Sequence, residues 1–419
     1  MPGWNSSNLL RNDFVSAGRV NRRGIALMAS AHVFDDFYQG VVPALLPFLV
    51  AERHYSYAAV AGLVLAANVL SSVVQPAFGW WGDRHPRRWL IPAGMLTAGL
   101  GVGLVAFSVE YWATWLVIAL SGFGIAAFHP EAARAARQAA GNSNRAMSVF
   151  ALGGNVGFAL GSLVATPLLL LTGLRGSVLL VIPAVLMAGI LILRLRTVLD
   201  GRTGALKRAA HPGGVDDWPA FLRLTVVVVV RSIVFFGTIS FVALYFINDF
   251  GTSKVLGGAA LTVFLVAGAI GTVVGGWTAD RLGRLVSIRL GFTLAVPSIL
   301  GLALAQDWQL AMVFVALSGV TIFMPFAVFV ILGQDYLPNR IGIASGVTVG
   351  LAVTVGGLFS PLLGSIADAT DLRVTFAILG GLTVVALGLA FLLREPSVVH
   401  RHPRPVGDTT AEAAEEGAL

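Results

Sequence analysis

The sequence predicts an all-α polytopic membrane protein: twelve transmembrane helices in two pseudo-symmetric six-helix bundles, with both termini cytoplasmic. Three observations predict it. Of 419 residues, 56% are hydrophobic and only 12% charged, against about 25% charged in typical soluble domains, and mean hydropathy is +0.82. Apolar runs long enough to cross a bilayer recur along the whole chain. A polar motif recurs at an offset of 197 residues, as expected of a chain built from two related halves.

A span needs about 20 mostly apolar residues at about 1.5 Å of rise each. Twelve segments qualify, at 24–50, 57–80, 89–109, 111–137, 146–172, 175–195, 220–247, 255–279, 286–306, 308–333, 343–367 and 372–394. They divide the chain into an N-terminal tail (1–23), a first bundle (24–195), a polar cytoplasmic linker (196–219), a second bundle (220–394) and a tail (395–419). That last tail carries Asp408, Glu412, Glu415 and Glu416 and reads as disordered. Residues 1–23 hold four arginines and no apolar core, so they do not read as a cleavable signal peptide.

Charge fixes the orientation. With the N-terminus inside, the cytoplasmic segments collect 23 of the 28 Lys and Arg residues. The outer loops hold four (Arg53, Arg175, Lys254, Arg373), and Arg231 lies inside a span. That is the positive-inside pattern. The net charge of +7 therefore reports topology and not nucleic-acid binding. Cysteine is absent, which removes disulfides, thiolate metal sites and cysteine nucleophiles.

The repeat is carried by GWWGDRHPRR (79–88) after span 2 and GWTADRLGR (276–284) after span 8. Both contain G-x-x-x-D-R-x-x-R, with Gly79, Asp83, Arg84 and Arg87 matching Gly276, Asp280, Arg281 and Arg284. Two further pairs repeat at close to the same offset: TGLR (172–175) with TDLR (370–373), and Asn144-Arg145 with Asn339-Arg340. These loops resemble the signature of the major facilitator superfamily, although Pro86 stands in the first copy where a glycine is usual. AHVFDD (31–36), FHPEAARAARQA (128–139), GGNVGFALG (153–161) and GQDYLPNRIGIASGVTVGL (333–351) resemble its fosmidomycin-resistance branch. The resemblance implies the major facilitator fold and an inner-membrane exporter that exchanges protons for an anionic or amphiphilic drug. It also implies a monomer that needs no cofactor beyond the proton gradient. One departure concerns span 5, where drug antiporters often carry a glycine-proline signature: Gly153, Gly157 and Gly161 form a small-residue face, but Pro167 comes six residues later. Such a face reads first as close helix packing.

Charged groups inside the spans are the candidate site. His32, Asp35 and Asp36 share one face of span 1, with Gln39 a turn further on. That face cannot look at lipid, where a charged group costs several kcal/mol, so it must face a polar cavity. Arg231 occupies the equivalent depth of span 7, as a donor that can grip a phosphonate or carboxylate through two bonds. Two adjacent carboxylates in a dry cavity resist ionising together, so Asp35 or Asp36 is the expected proton carrier, with His32 as relay and Arg231 held by the ionised pair. The competing reading is a structural ion pair between spans 1 and 7. Asn155 joins Arg231 and Gln39 as a candidate substrate contact; for Asn155, as for Asn68 and Gln75, interhelical hydrogen bonding is the simpler role.

A second cluster is expected at the cytoplasmic gate. Counting from interfacial Trp112 puts His129 about 27 Å deep, at the cytoplasmic end, where Pro130 biases it away from helical geometry and a kink is expected. Glu131 can pair with Arg134 at i, i+3. With Asp83, Arg84 and Arg87 these residues would close in one state and part in another, and Asp280, Arg281 and Arg284 would do the same near Asp335. No second histidine or thiolate lies near His129 in sequence, which argues against a metal there.

No G-x-S-x-G, H-E-x-x-H or Walker sequence occurs, so an enzyme and an ATP-driven pump are disfavoured, as is a receptor without a large soluble output domain. A proton- or sodium-coupled importer of a small organic anion is the open alternative to export. The expected partners are the lipid bilayer and a small anionic molecule.

Overall fold

The computed structural model describes residues 20–84, 87–141, 143–199, 215–340, 343–344 and 346–396, with their side chains except at 76, 82–84, 144–145, 197–199, 349 and 351–353. The predicted disordered tail, most of the linker and the side chains of Asp83 and Arg84 fall outside that description. The described residues are almost wholly helical, with no strand among them. The N-terminal helices are α1 (Arg22–Arg53), α2 (Tyr57–Arg84), α3 (Leu90–Gly103, continued by a 3-10 turn), α4 (Tyr111–Ala140), α5 (Asn144–Thr172) and α6 (Val181–Leu199, preceded by a 3-10 stretch). The C-terminal helices are α7 (Trp218–Asn248), α8 (Lys254–Leu282), α9 (Arg284–Leu304), α10 (Trp308–Phe323), α11 (Phe326–Tyr336), α12 (Ala352–Leu358), α13 (Ser360–Ala369) and α14 (Leu372–Phe391), with a π-helical turn at Gly346–Leu351.

Among the described residues, ten helical segments are long and apolar enough to cross a membrane, and Leu90–Ala106 is a shorter apolar helix. Local chemistry starts and stops them. Asn21, Ser143, Asp217, Ser253, Asp307 and Asp371 each accept a backbone N–H in the first turn of the helix they precede. Gly173 and Gly283, at φ +64° and +98°, turn the chain after α5 and α8.

Two expected spans are interrupted. Span 10 breaks between α10 and α11 because Pro325 lacks the N–H that Thr321 would otherwise receive. Span 11 is divided into the π turn, α12 and α13; its run of glycines weakens the helix, and Pro361 opens α13 within the first turn.

The packing inverts that of a water-soluble protein. His32, Asp35, Glu131 and Arg231 are buried, while Leu171 is 87% and Leu193 74% exposed. An apolar exterior on this scale belongs against hydrocarbon. Within the N-terminal helices the tightest seam joins α1 to α5. A Cβ on Gly153, Gly157 or Gly161 would run into the carbonyl oxygens of Ala29, Val33 and Phe37, and one on Gly40 into that of Phe158. The small-residue face of span 5 is therefore a packing surface, as its spacing suggests.

The N- and C-terminal helices are tied together at the end that carries the α1–α2 and α7–α8 connections. Asp368 of α13 accepts from the backbone N–H groups of Tyr57 (2.8 Å) and Ala58 (2.9 Å) at the start of α2. Asn248 donates to the Tyr57 hydroxyl at 2.7 Å, and Thr262 to the Ser162 hydroxyl at 3.1 Å. Gly364 and Gly258 let α13 and α8 approach Ala58 and Thr166 where a side chain would collide.

Candidate functional site

A cavity of about 240 Å³ lies between the N- and C-terminal helices. Asp36 and Gln39 of α1, His129 of α4, Asn155 of α5 and Arg231 of α7 all line it. The expected substrate-facing residues are thus brought to one space from both parts of the chain.

The acidic face of α1 is organised by two histidines, one of them expected elsewhere. His129 is not separated from the acids: its Nε2 lies 3.3 Å from Asp36 Oδ1 and its Nδ1 3.4 Å from Asp35 Oδ2. The depth count failed because α4 has 30 residues and α1 has 32, lengths of about 45–48 Å that overshoot a core of about 30 Å. Measured instead from the ends that meet on the linker side, His129 is about 16 Å in and Asp36 about 21 Å, which makes them neighbours. His129 keeps its helical place, since α4 runs through Pro130 without interruption.

Hydrogen-bond chemistry assigns the ring protons. His32 Nδ1 is 2.8 Å from the Phe150 carbonyl and His129 Nδ1 3.0 Å from that of Ile125. Carbonyls only accept, so each Nδ1 carries a hydrogen and each Nε2 is turned towards Asp36. His32 Nε2 is 3.3 Å from Asp36 Oδ2. Two nitrogen–carboxylate contacts therefore meet on one carboxylate, and each needs one proton to be attractive. Gln39 adds a donor to Asp36 Oδ1 at 2.5 Å. Phe150 stacks on His32 with ring centroids 4.3 Å apart, and His129 meets His32 edge-on at 5.2 Å. Gly154 of α5 backs the cluster, since a Cβ there would press on Asp36 Oδ2 and the His32 ring.

Asp35 differs from Asp36. It is fully buried, and neither of its oxygens has a hydrogen-bond partner among the described residues. Burial of a polar group without a partner is costly and marks positions whose cost is retained for a purpose.

Arg231 was expected to be held by these acids and is not. Its Nε donates to the Ile322 carbonyl at 2.9 Å, beside the break that Pro325 makes between α10 and α11. Its guanidinium stands over the rings of Phe235, Phe323 and Phe326 at 5.0–5.4 Å. Among the described residues no carboxylate lies within ion-pair distance, and the remaining N–H groups find no protein acceptor. A structural ion pair between spans 1 and 7 is thereby ruled out in this state. Asn155 lines the cavity without a hydrogen bond to another described residue.

The other predicted charges whose side chains are described do not line the cavity. Glu131 pairs with Arg134 at 2.5 Å. Arg284 pairs with Asp335, joining the start of α9 to α11. Arg87 and Arg281 stand over Trp81 and Trp277 at 4.6 and 4.5 Å. The residues missed by sequence reasoning are Asp368, Phe323, Phe326 and Gly154, together with the carbonyls of Phe150, Ile125 and Ile322. Backbone acceptors carry no sequence signal at all.

A many-helix membrane protein with a polar, charged cavity between two groups of helices has the construction of a secondary transporter. The chain belongs to the major facilitator superfamily, whose family model matches residues 28–361. It is 30% identical to the uncharacterized MFS-type transporter YfnC of Bacillus subtilis (strain 168), across 88% of this chain and 92% of that one. It is 29% identical to the fosmidomycin resistance protein of Escherichia coli (strain K12), with the same coverage. Among solved structures, a bacterial homolog of the human lysosomal transporter Spinster, inward-facing and occupied, matches with a TM-score of 0.74 at 16% identity, covering 88% of this chain and 96% of the other. The nucleoside transporter NupG matches at 0.70 and 12% identity, covering 88% and 99%. The protein is a multi-pass inner-membrane transporter of a small molecule, and not an enzyme.

Proposed function

We propose that this transporter exports a small anionic or amphiphilic compound, of the kind fosmidomycin exemplifies, in exchange for protons. It does so by alternating access, as a monomer with both termini cytoplasmic and the proton gradient as its energy source. One observation carries the reading: a guanidinium with unused donors lines the same cavity as Asp36 and His129, which belong to a cluster of two histidines and two aspartates. Arg231 takes the anionic group through paired N–H donors, with Gln39 and Asn155 on the cavity wall. Asp35 is the proton carrier, because a fully buried carboxylate without a hydrogen bond, with only His129 Nδ1 near it at 3.4 Å, is costly to keep charged; His32, Asp36 and His129 relay to it. The end tied by Asp368 is the outer one under the positive-inside reading, which supports an inward-facing arrangement.

The direction is supported by the likeness to the fosmidomycin resistance protein and by energetics. An anion leaving while a proton comes in moves two charges down an inside-negative potential, about 4.6 kcal/mol at 100 mV. The test uses everted vesicles with an acidified interior, to which a phosphonate is added while internal pH is followed. Alkalinisation that is abolished by Asp35→Asn, and lost separately in Arg231→Ala, is the expected result. Acidification, or a response that survives both substitutions, would overturn the reading.

A further inference from the structure

We propose that His32, Asp36 and His129 also form a binding site for a divalent transition-metal ion of the Zn²⁺ class. The His32 and His129 Nε2 atoms each lie 3.3 Å from one oxygen of the Asp36 carboxylate, and a donor atom from each of the three residues fits within 4.8 Å of the others. Ligand atoms bonded to Zn²⁺ at about 2.0–2.2 Å stand about 3.3–3.5 Å apart around a tetrahedron. The two nitrogen–oxygen contacts have that length, one to each carboxylate oxygen, so a shared ion takes the carboxylate through both oxygens or draws one oxygen towards both nitrogens.

The surroundings supply what a metal-binding imidazole requires. Both Nδ1–H groups are committed to backbone carbonyls, Phe150 at 2.8 Å and Ile125 at 3.0 Å, which fixes the rings and aims Nε2 inward. Outer partners of this kind accompany metal-bound histidines almost without exception. Gly154 keeps α5 clear of the carboxylate and the His32 ring, and the Phe150 stack holds that ring in plane. Two imidazoles with one carboxylate select for Zn²⁺, Co²⁺ or Ni²⁺ over Mg²⁺ or Ca²⁺, which want all-oxygen shells. Three protein ligands leave a fourth position, and Asp36 and His129 both face the cavity. A divalent ion also carries the same charge as the two protons that the Nε2 contacts otherwise need, so it would replace them without changing the charge of the cluster.

The site shares its residues with the proton relay, but metal binding requires no transport, so the two readings fail separately. The test uses the full chain purified in detergent without a histidine tag and stripped with a chelator. Zn²⁺ is titrated against a chromophoric competitor, and Co²⁺ is added as a spectroscopic probe. The expected result is one ion per chain, with the intense visible absorption of low-coordinate Co²⁺. His129→Gln and Asp36→Asn should weaken binding about 100-fold or more, while His54→Asn, outside the cluster, should leave it unchanged; His32→Gln replaces any variant that does not melt cooperatively. Absence of a bound ion, or equal affinity in the ligand variants, overturns the site. Zn²⁺ binding as expected in a chain that gives no proton response in vesicles keeps the metal site and overturns the relay.

Discussion

Replacing Asp368 by alanine should open the end of the transporter that carries the α1–α2 and α7–α8 connections. Its two carboxylate oxygens accept from the Tyr57 and Ala58 N–H groups at 2.8 and 2.9 Å, where α2 has no intrahelical acceptor to offer them. The carboxylate also sits at the positive end of the helix dipole. Because Asp368 is exposed, the contribution is that of a surface cap, about 1–2 kcal/mol. If the outward-open state lacks these bonds, their loss shifts the closed-to-open ratio about 5- to 30-fold. The chain has no cysteine, so Val109→Cys and Gln306→Cys can carry spin labels on exposed loops at that end without background. Electron–electron distance measurements should show a longer-distance population growing in Asp368→Ala. Asp371→Ala removes a comparable cap from α14 within the C-terminal helices alone and should leave the distances unchanged. Equal distributions in Asp368→Ala and the parent, or equal shifts in both variants, would refute the assignment of Asp368 as a latch.

Gly157→Ala should destabilise the detergent-solubilised protein by about 1–3 kcal/mol, because its Cβ meets the Val33 backbone, while Gly189→Ala, with open space around it, should leave thermal melting unchanged. Arg231→Lys should lose most substrate affinity, since an ammonium cannot reproduce the paired donors or the stacking on Phe235, Phe323 and Phe326; equilibrium binding of a labelled phosphonate reads this out. Burial, and then the neighbouring Asp371 carboxylate, push the Asp249 carboxyl up to about 6, against the opposing pull of Arg373. Its raised value means that the folded state holds the proton more tightly than the unfolded chain, so stability falls as pH rises from about 4 through 6. Asp249→Asn should therefore match the parent near pH 4 and melt higher above pH 6.

Most of the architecture was legible because the bilayer leaves few solutions: apolar run length fixes where helices can be, and buried charges stand out against them. The face formed by His32, Asp35 and Asp36 and the cavity position of Arg231 were visible for that reason. Membership of His129 in the same cluster was not, since residues counted from one end of an overlong helix do not measure depth. The partner of Arg231 was also hidden. It is a carbonyl freed near Pro325, and a hydropathy window reads straight through that break. Asp368 looks like any polar residue at the end of a span, and only the approach of α13 to α2 gives it a role.

The helix packed along α1 and the one packed along α7 are built differently. α5 is a single unbroken rod of 29 residues locked to α1 by its glycines, whereas the chain beside α7 is a π turn followed by two short helices. The protonatable groups therefore sit in a stiff frame and the guanidinium in a jointed one, backed by a second joint at Pro325. On the proposal that Arg231 holds the cargo and the histidine–aspartate cluster the protons, cargo preference can drift through substitutions around residues 322–326 and 346–361 while the ion chemistry stays untouched. A lineage of such proteins would keep one engine and change the grip.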